Sequence, residues 1–311
     1  SVINPKRGDC GAGLQNLAGV GVAFCLLICL RTYLRQKGFW RMRQEPNLKS
    51  YCDLVALGTI ADMVPLVREN RILCKTGLEL ISAGYRPGLA ALVEASGIGN
   101  DPVDSDAVAF RLAPRLNAAG RMDHAARAVE LLTEPDAADA ANVARNLNWL
   151  NQRRQQMEQT ILAEIKSILE INPSLLRRRT LVLAQDGWHP GLLGIVASRI
   201  MDRYFRPVVL IATDSGICQG SARSVPGIDL YQALTDCAEY LESHGGHALA
   251  AGLKIRQANI ENFKDAFEEA IDNLAQPEVL TRKLDIDGDL DFAAISENLI
   301  DELESIRPFG V

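Results

Sequence analysis

From Asp136 to Asn172 the chain runs for 37 residues without a proline or a glycine, and it stops at Pro173. Val143, Leu147, Leu150, Met157, Ile161, Ile165 and Ile168 recur along it at helical spacing. An unbroken stretch with that period predicts one amphipathic helix. At 1.5 Å per residue it would span roughly 55 Å. A helix of that length with a single apolar stripe suits a connector between two domains better than a core element of one. The NQRRQQ segment is expected to face outward. Two packed helices with an unmarked break are the alternative.

The flanks differ in pattern. Before the helix the reading is helical: a helix near Leu17–Gln36, a basic loop, then CDLVALGTIADMVPL, which reads as a strand end feeding a helix or loop. RENRILCKTGLELISAG predicts an amphipathic helix stopped by Gly84, and short helices follow to about Thr133. After Pro173 strands and helices alternate. TLVLAQ, PVVLIAT, CQGSARS and ALAAGLKI read as strands, LLGIVASRIMDRY and LYQALTDCAEYLES as helices. This is an α/β domain ending near Leu274. Beyond it KLDIDGDLDF reads as one strand and a last helix reaches Ile306. The acids of DIDGDLDFAAISE are not an EF-hand loop, because Gly288 stands fourth from Asp285 and not sixth. SVINP and PFGV both read as cut ends.

A net charge of −6 argues against a protein that coats nucleic acid, though not against a local basic groove. Seven scattered cysteines without CxxC spacing exclude a zinc ribbon and read as reduced thiols. The apolar run Leu17–Leu30 is shorter than the roughly 20 residues of a bilayer span, and its basic residues follow it, unlike a signal peptide. A buried helix in a cytoplasmic protein is expected.

Four segments carry chemistry. Asp53 opens DLVALGTIAD, where a carboxylate at the end of an apolar run suits Mg²⁺ or Mn²⁺; taken alone it suits a helix cap better. Asp62, nine residues on, is expected to cap or orient. PRLNAAGRM and the RLA before it bring Arg111, Arg115 and Arg121 close together, which suit either phosphate or a surface network with Asp106, Asp123 and Glu130. In GWHPGLLGI, His189 precedes a helix whose N-terminus is a natural anion site, with an ordinary strand-to-helix turn as the alternative. GSARS places Ser221, Arg223 and Ser224 at a strand end. SHGGHALAAGL places Gly245, Gly246 and His247 in a glycine-rich loop. Together these supply the guanidinium, hydroxyls, imidazole and backbone amides of a phosphate cradle.

In order, INPKRGDC, LAGVGVAF, DLVALGTIADMVPL, NRIL, PRLNAAGRM, WHPGLLGIVASRI, GSARS, GGHALAAGL and PFG resemble the RecJ exonuclease family of the DHH/DHHA1 phosphoesterase superfamily. The resemblance implies an α/β fold: the C-terminal part of a DHH domain (1–135), a long connecting helix (136–173), a DHHA1 substrate-binding domain (174–275) and the start of an OB-like domain (276–311). It implies 5′ to 3′ hydrolysis of single-stranded DNA with Mn²⁺ or Mg²⁺, in repair and recombination. On it, Asp53 matches the family's last metal-binding aspartate, and Ser221, Arg223 and His247 match DHHA1 substrate positions. Arg115 or Arg121 matches a phosphate-binding arginine. The Asp-His-His motif that names the superfamily is absent, since Asp123–His124 is followed by Ala. Most metal ligands are therefore expected upstream of residue 1, and the chain is expected to be an inactive fragment. Single-stranded DNA is the expected partner, with a single-stranded-DNA-binding protein or a helicase beside it, no membrane, and a monomeric state. The competing readings are a small-nucleotide phosphodiesterase of the same superfamily and a noncatalytic DNA-binding accessory.

Overall fold

The computed structural model of the chain describes residues 2–99, 101–213, 216–275, 277–284 and 286–310. It divides into two compact units, Ser1–Asn151 with Asp289–Val311, and Gln152–Gly288. The uninterrupted stretch is one helix, Ala137–Ile171, and the division falls inside it.

The first unit is helical: α1 (Gly19–Gln36), α2 (Cys52–Ala61), α3 (Arg68–Ser82), α4 (Pro87–Ala95), α5 (Ser105–Ala107), a π-helical turn (Val108–Leu112), α6 (Ala113–Met122), α7 (Ala126–Thr133) and the start of α8 (Ala137–Ile171). Its core joins Ala56, Leu57, Leu89, Leu92, Leu112 and Leu131 to Ala140, Ala144 and Leu147 of α8. Gly77 of α3 lets that helix approach α2, since a Cβ there would stand 2.1 Å from the Cys52 carbonyl oxygen. Gly84 takes φ +66° just beyond α3, the stop that the sequence predicts.

Two expectations fail here and a third, that NQRRQQ faces outward, holds for Gln152, Arg153, Gln155 and Gln156 only. CDLVALGT is helix α2, not a strand end, and it is buried at Cys52, Asp53, Val55, Ala56, Leu57, Thr59 and Ile60. Burial on all sides erases the 3.6-residue period, so the run reads like a buried strand. Helix α1 is not buried: only Gly21 and Phe24 are, while Leu26, Leu27, Ile28, Leu30 and Tyr33 are exposed. Its apolar residues run round the helix, and α2 meets one stripe of them. By length and composition alone this helix could cross a membrane. Within NQRRQQ, Asn151 and Arg154 are buried.

The second unit holds β1 (Leu181–Asp186), α9 (Pro190–Tyr204), β2 (Val208–Thr213), β3 (Ile217–Arg223), α10 (Leu230–Asp236), β4 (Leu241–His247), β5 (Ala250–Arg256) and α11 (Ile260–Leu274). The strands form one mixed sheet in the order β1-β2-β3-β5-β4, parallel between β1 and β2 and antiparallel elsewhere. Helices α10 and α11 cover the face made by Val182, Val209, Ile211, Cys218, Ala222, Ala251, Leu253 and Ile255. Helix α9 packs on β2 and β3 from the other face, where Gly194 meets Ser221 and Arg223. LYQALTDCAEYLES is not one helix. It ends at Asp236, and its last residues enter β4.

The described residues of KLDIDGDLDF form no strand, and Asp285 lies outside the described residues. An acidic alternating segment with no neighbour to pair has nothing to hold it extended. The predicted last helix is present as α12 (Glu297–Ser305).

Candidate functional site

Strand register gathers the predicted phosphate-binding residues on one face of the second unit's sheet. Arg223 of β3 and His247 of β4 both pair with Ala250 of β5, between them. Two residues along, Ser221 and Gly245 both pair with Gly252. Directly opposed residues share a face, so Ser221, Arg223, Gly245 and His247 surround a floor of Ala250 and Gly252. That floor carries no side chain larger than a methyl. Further along the same face stand Gln219 and Lys254, both exposed.

The cationic group is fixed from beneath. Arg223 Nε donates to Ser198 Oγ at 3.1 Å, and Arg223 Nη1 donates to the Ala222 carbonyl at 2.7 Å and toward Ser221 Oγ at 3.4 Å. Gly194, one helical turn before Ser198, makes room for it: a Cβ there would lie 2.7 Å from Arg223 Nη2 and 3.1 Å from Ser221 Oγ. A glycine inside a helix disfavours that helix by about 1 kcal/mol relative to alanine, so its presence marks a close approach.

His189 is the N-cap of α9, and its Nδ1 accepts from the Gly191 amide at 3.1 Å. The helix start therefore stands on the element that seats Arg223, with the positive end of the helix dipole, while its first amides are bonded within the chain, Gly191 to His189 Nδ1 and Leu192 to the His189 carbonyl. Gly245 and Gly246 lie in β4, not in a loop. Gly246 has φ +152° and no room for a Cβ, which would meet the Ala250 carbonyl oxygen at 2.3 Å. Gly245 has open space and keeps the surface flat. His247 is exposed, and its Nδ1 accepts from the Leu249 amide at 3.3 Å. Ser224 does not join this face. It is buried, with its hydroxyl directed to the carbonyls of Val225 and Ile228.

In the first unit Asp53 sits in the first turn of α2, fully buried. Arg86 grips it with two donors, Nε to Oδ2 at 2.8 Å and Nη2 to Oδ1 at 3.3 Å, and also reaches the Leu132 carbonyl at 3.3 Å. Nothing in the sequence pattern pairs residues 53 and 86; the fold does, by bringing the N-cap of α4 to the first turn of α2. Among the described residues no group of three His, Cys, Asp or Glu side chains is placed to hold a metal ion. One carboxylate with both oxygens engaged does not make a divalent-metal site, so these residues alone do not fit the ion that the sequence resemblance implies.

The three arginines of RLAPRLNAAGRM separate. Arg115 is half-buried and structural, with Nε on Asn148 Oδ1 at 2.9 Å and Nη1 on the Arg111 carbonyl at 2.6 Å. Burial, and then the charge of Arg111, hold its pKa below the usual arginine value. Arg111 caps the end of α4 through the Ser96 and Gly97 carbonyls. Arg121 is exposed at the end of α6. Two of the acids weighed as their partners, Asp123 and Glu130, pair with Arg127.

Comparison with known proteins gives a consistent set. Residues 178–273 match the DHHA1 domain. The single-stranded-DNA-specific exonuclease RecJ of Salmonella typhimurium is 39% identical over all of this chain, which covers 56% of that protein. The Bacillus subtilis protein of the same name is 35% identical, again over the whole chain and over 38% of its own length. The crystal structure of RecJ from Thermus thermophilus in complex with Mn²⁺ superposes with a TM-score of 0.80 at 35% identity, over 97% of this chain and 43% of that one. Its complex with Mg²⁺ gives a TM-score of 0.79. The chain thus spans about half the length of its Salmonella relative and less of the others.

Proposed function

The chain belongs to the RecJ family of DHH/DHHA1 proteins, and on that premise we propose that it is the strand-holding part of a single-stranded-DNA exonuclease working 5′ to 3′ in DNA repair and recombination. One observation carries this reading: Ser221, Arg223, Gly245 and His247 lie round a bare Ala250–Gly252 floor, with Gly194 of α9 against Ser221 and Arg223. Arg223 supplies permanent charge, Ser221 and His247 supply directional donors, and the missing side chains let a sugar-phosphate backbone lie flat. Arg121 is the better placed of the two candidate arginines in the first unit, because it is exposed at the end of α6 whereas Arg115 is half-buried.

Asp53 is this chain's contribution to the Mg²⁺ or Mn²⁺ site of the complete enzyme, with the other ligands supplied by sequence that this chain does not contain. When bound, such ions activate water and stabilise charge on the leaving oxygen. Arg86 holds the Asp53 carboxylate in place in the chain as it stands. The 311-residue chain alone is expected to leave 5′-labelled single-stranded DNA intact in Mn²⁺. In a protein carrying the remaining motifs, Asp53→Ala is expected to abolish Mn²⁺-dependent nuclease activity.

The test of the strand-holding reading is fluorescence anisotropy of a labelled oligonucleotide at two salt concentrations, wild type against Arg223→Ala. Salt-sensitive binding that Arg223→Ala weakens supports it. Equal affinity of the two proteins overturns it and leaves GSARS a structural strand end.

A further inference from the structure

The sheet face that carries Arg223 continues past the Ala250–Gly252 floor. Helix α9 covers this face over β2 and β3. Over β5 and β4 it stays open, and Ser243, Gly245, His247, Gly252 and Lys254 are all exposed there. Register sets its residues in rows across β3, β5 and β4. Arg223, Ala250 and His247 make the first row, Ser221, Gly252 and Gly245 the second, and Gln219, Lys254 and Ser243 the third. Neighbouring rows are two residues apart, roughly 7 Å along a strand. The middle row holds a hydroxyl and no charge; the third restores a cation. Arg256, two residues beyond, is paired with Glu242 at 2.5 Å, whereas Lys254 is in no ion pair among the described residues.

From this arrangement we infer that Lys254 is a second phosphate-binding residue, and that a strand held at Arg223 runs on along β5 to reach it. The inference rests on the strand-holding reading above and extends it. Rows one and three lie roughly 14 Å apart, too far for one phosphate to touch both cations. Only a strand with several phosphates spans them. Gly252 and Gly245 between the two rows leave that path free of side chains. The two cations suit different tasks. Arg223 is held from beneath by Ser198 and fixes a phosphate in one place. Lys254 carries a point charge on a flexible stem and can follow a phosphate whose position varies with the bases. The Gln219 amide and the Ser243 hydroxyl stand on either side of it as neutral donors. The path also has an end. The register of β4 slips between Leu241 and Ser243, and the residue in the slip, Glu242, sets a carboxylate beside Arg256. A further phosphate would meet that negative charge, so the face holds only a short length of strand.

Ligand length is the readout. Isothermal titration calorimetry compares thymidine 5′-monophosphate, whose single phosphate fills one site, with a 5′-phosphorylated six-nucleotide oligothymidylate. Arg223→Ala should weaken both. Lys254→Ala should leave the mononucleotide unchanged and weaken the oligonucleotide roughly three- to ten-fold, the scale of one hydrogen bond. Its slope of log affinity against log salt should be shallower by about 0.7, the value for one phosphate contact on a single strand. Lys254→Arg, which keeps the charge, should bind nearly as wild type does. An undiminished oligonucleotide affinity in Lys254→Ala overturns the second site, and so does an equal loss for both ligands, which a general field would give. If the mononucleotide binds too weakly to titrate, an unchanged salt slope overturns it. A loss with Lys254→Ala and none with Arg223→Ala keeps the contact at Lys254 and overturns the site at Arg223. Binding of neither ligand by the wild type overturns both. Thermal denaturation checks the fold of each variant, and Lys254→Gln, which keeps most of the stem on the sheet, is read by the same criteria should Lys254→Ala disturb it.

Discussion

At the scale of single residues, Arg223 and Gly194 form one device, and their substitutions have opposite signatures. Arg223→Ala removes a charged donor from an open surface. It should weaken oligonucleotide binding by roughly 1–3 kcal/mol, for all sequences alike, with a shallower salt dependence. Gly194→Ala leaves the arginine in the chain but drives a Cβ to 2.7 Å from Nη2, so the guanidinium must move. Alanine favours a helix over glycine by about 1 kcal/mol, which offsets the local crowding. The expected result is a near-normal melting temperature with reduced binding, read by thermal denaturation and anisotropy on one preparation. Asp53→Ala behaves differently, because it strands Arg86, whose side chain is 19% exposed, without its carboxylate. A broken buried pair costs about 3 kcal/mol or somewhat less at this partial exposure. A lowered melting temperature should therefore accompany any loss of activity. The residues that the β3–β5–β4 register brings together are legible in sequence because each sits in a small-residue motif. Arg86 is not, since a partner 33 positions away carries no local signal. Ser224 misleads because its neighbours in GSARS face the opposite way.

Among the elements, the clearest departure from the sequence reading is α2, and its cause suggests a test. A helix buried on nearly every side has no polar face, so its sequence loses the period by which helices are recognised. What seats α2 is Gly77 of α3, whose absent side chain admits the Cys52 carbonyl and the Ala56 methyl. Gly77→Ala would place a Cβ 2.1 Å from backbone oxygen, which no rotamer change can relieve. The helices must separate, and the loss should exceed the roughly 1 kcal/mol that alanine would otherwise contribute to α3. Urea denaturation should show a lower midpoint; an unchanged or higher one would mean that α2 and α3 do not meet there. The long helix α8 is legible to within a residue at each end because nothing interrupts it and its stripe is regular. Strand β4 escapes the sequence reading for a related reason. LESHGGH has little strand propensity, and pairing with β5 imposes its conformation.

For the whole molecule, the cysteines report on each unit separately. Cys52 and Cys74 lie buried in the first unit, and Cys218 and Cys237 in the second, while Cys29 is exposed. Burial pushes the Cys74 thiol up to about 11 and the Cys237 thiol up to about 12, so both are protonated at pH 8. The thiolate is the reactive form, so alkylation of the native chain at that pH should mark Cys29 first and spare these two. Their cores share no residue, and multi-unit chains commonly unfold in more than one step. Pulse alkylation across a urea series, read by peptide mass spectrometry, should thus expose Cys74 and Cys237 at different denaturant concentrations. Ligand linkage then ties stability to function. A ligand that binds only the folded second unit raises the stability of that unit by mass action, about 2.7 kcal/mol at a concentration one hundred times Kd. An excess of single-stranded oligonucleotide should move the exposure of Cys237 to higher urea and leave that of Cys74 nearly in place, with Arg223→Ala reducing the shift. Equal movement of both thiols would place the main binding contacts outside the β3–β5–β4 face, and no movement of either would leave that face without a nucleic-acid ligand.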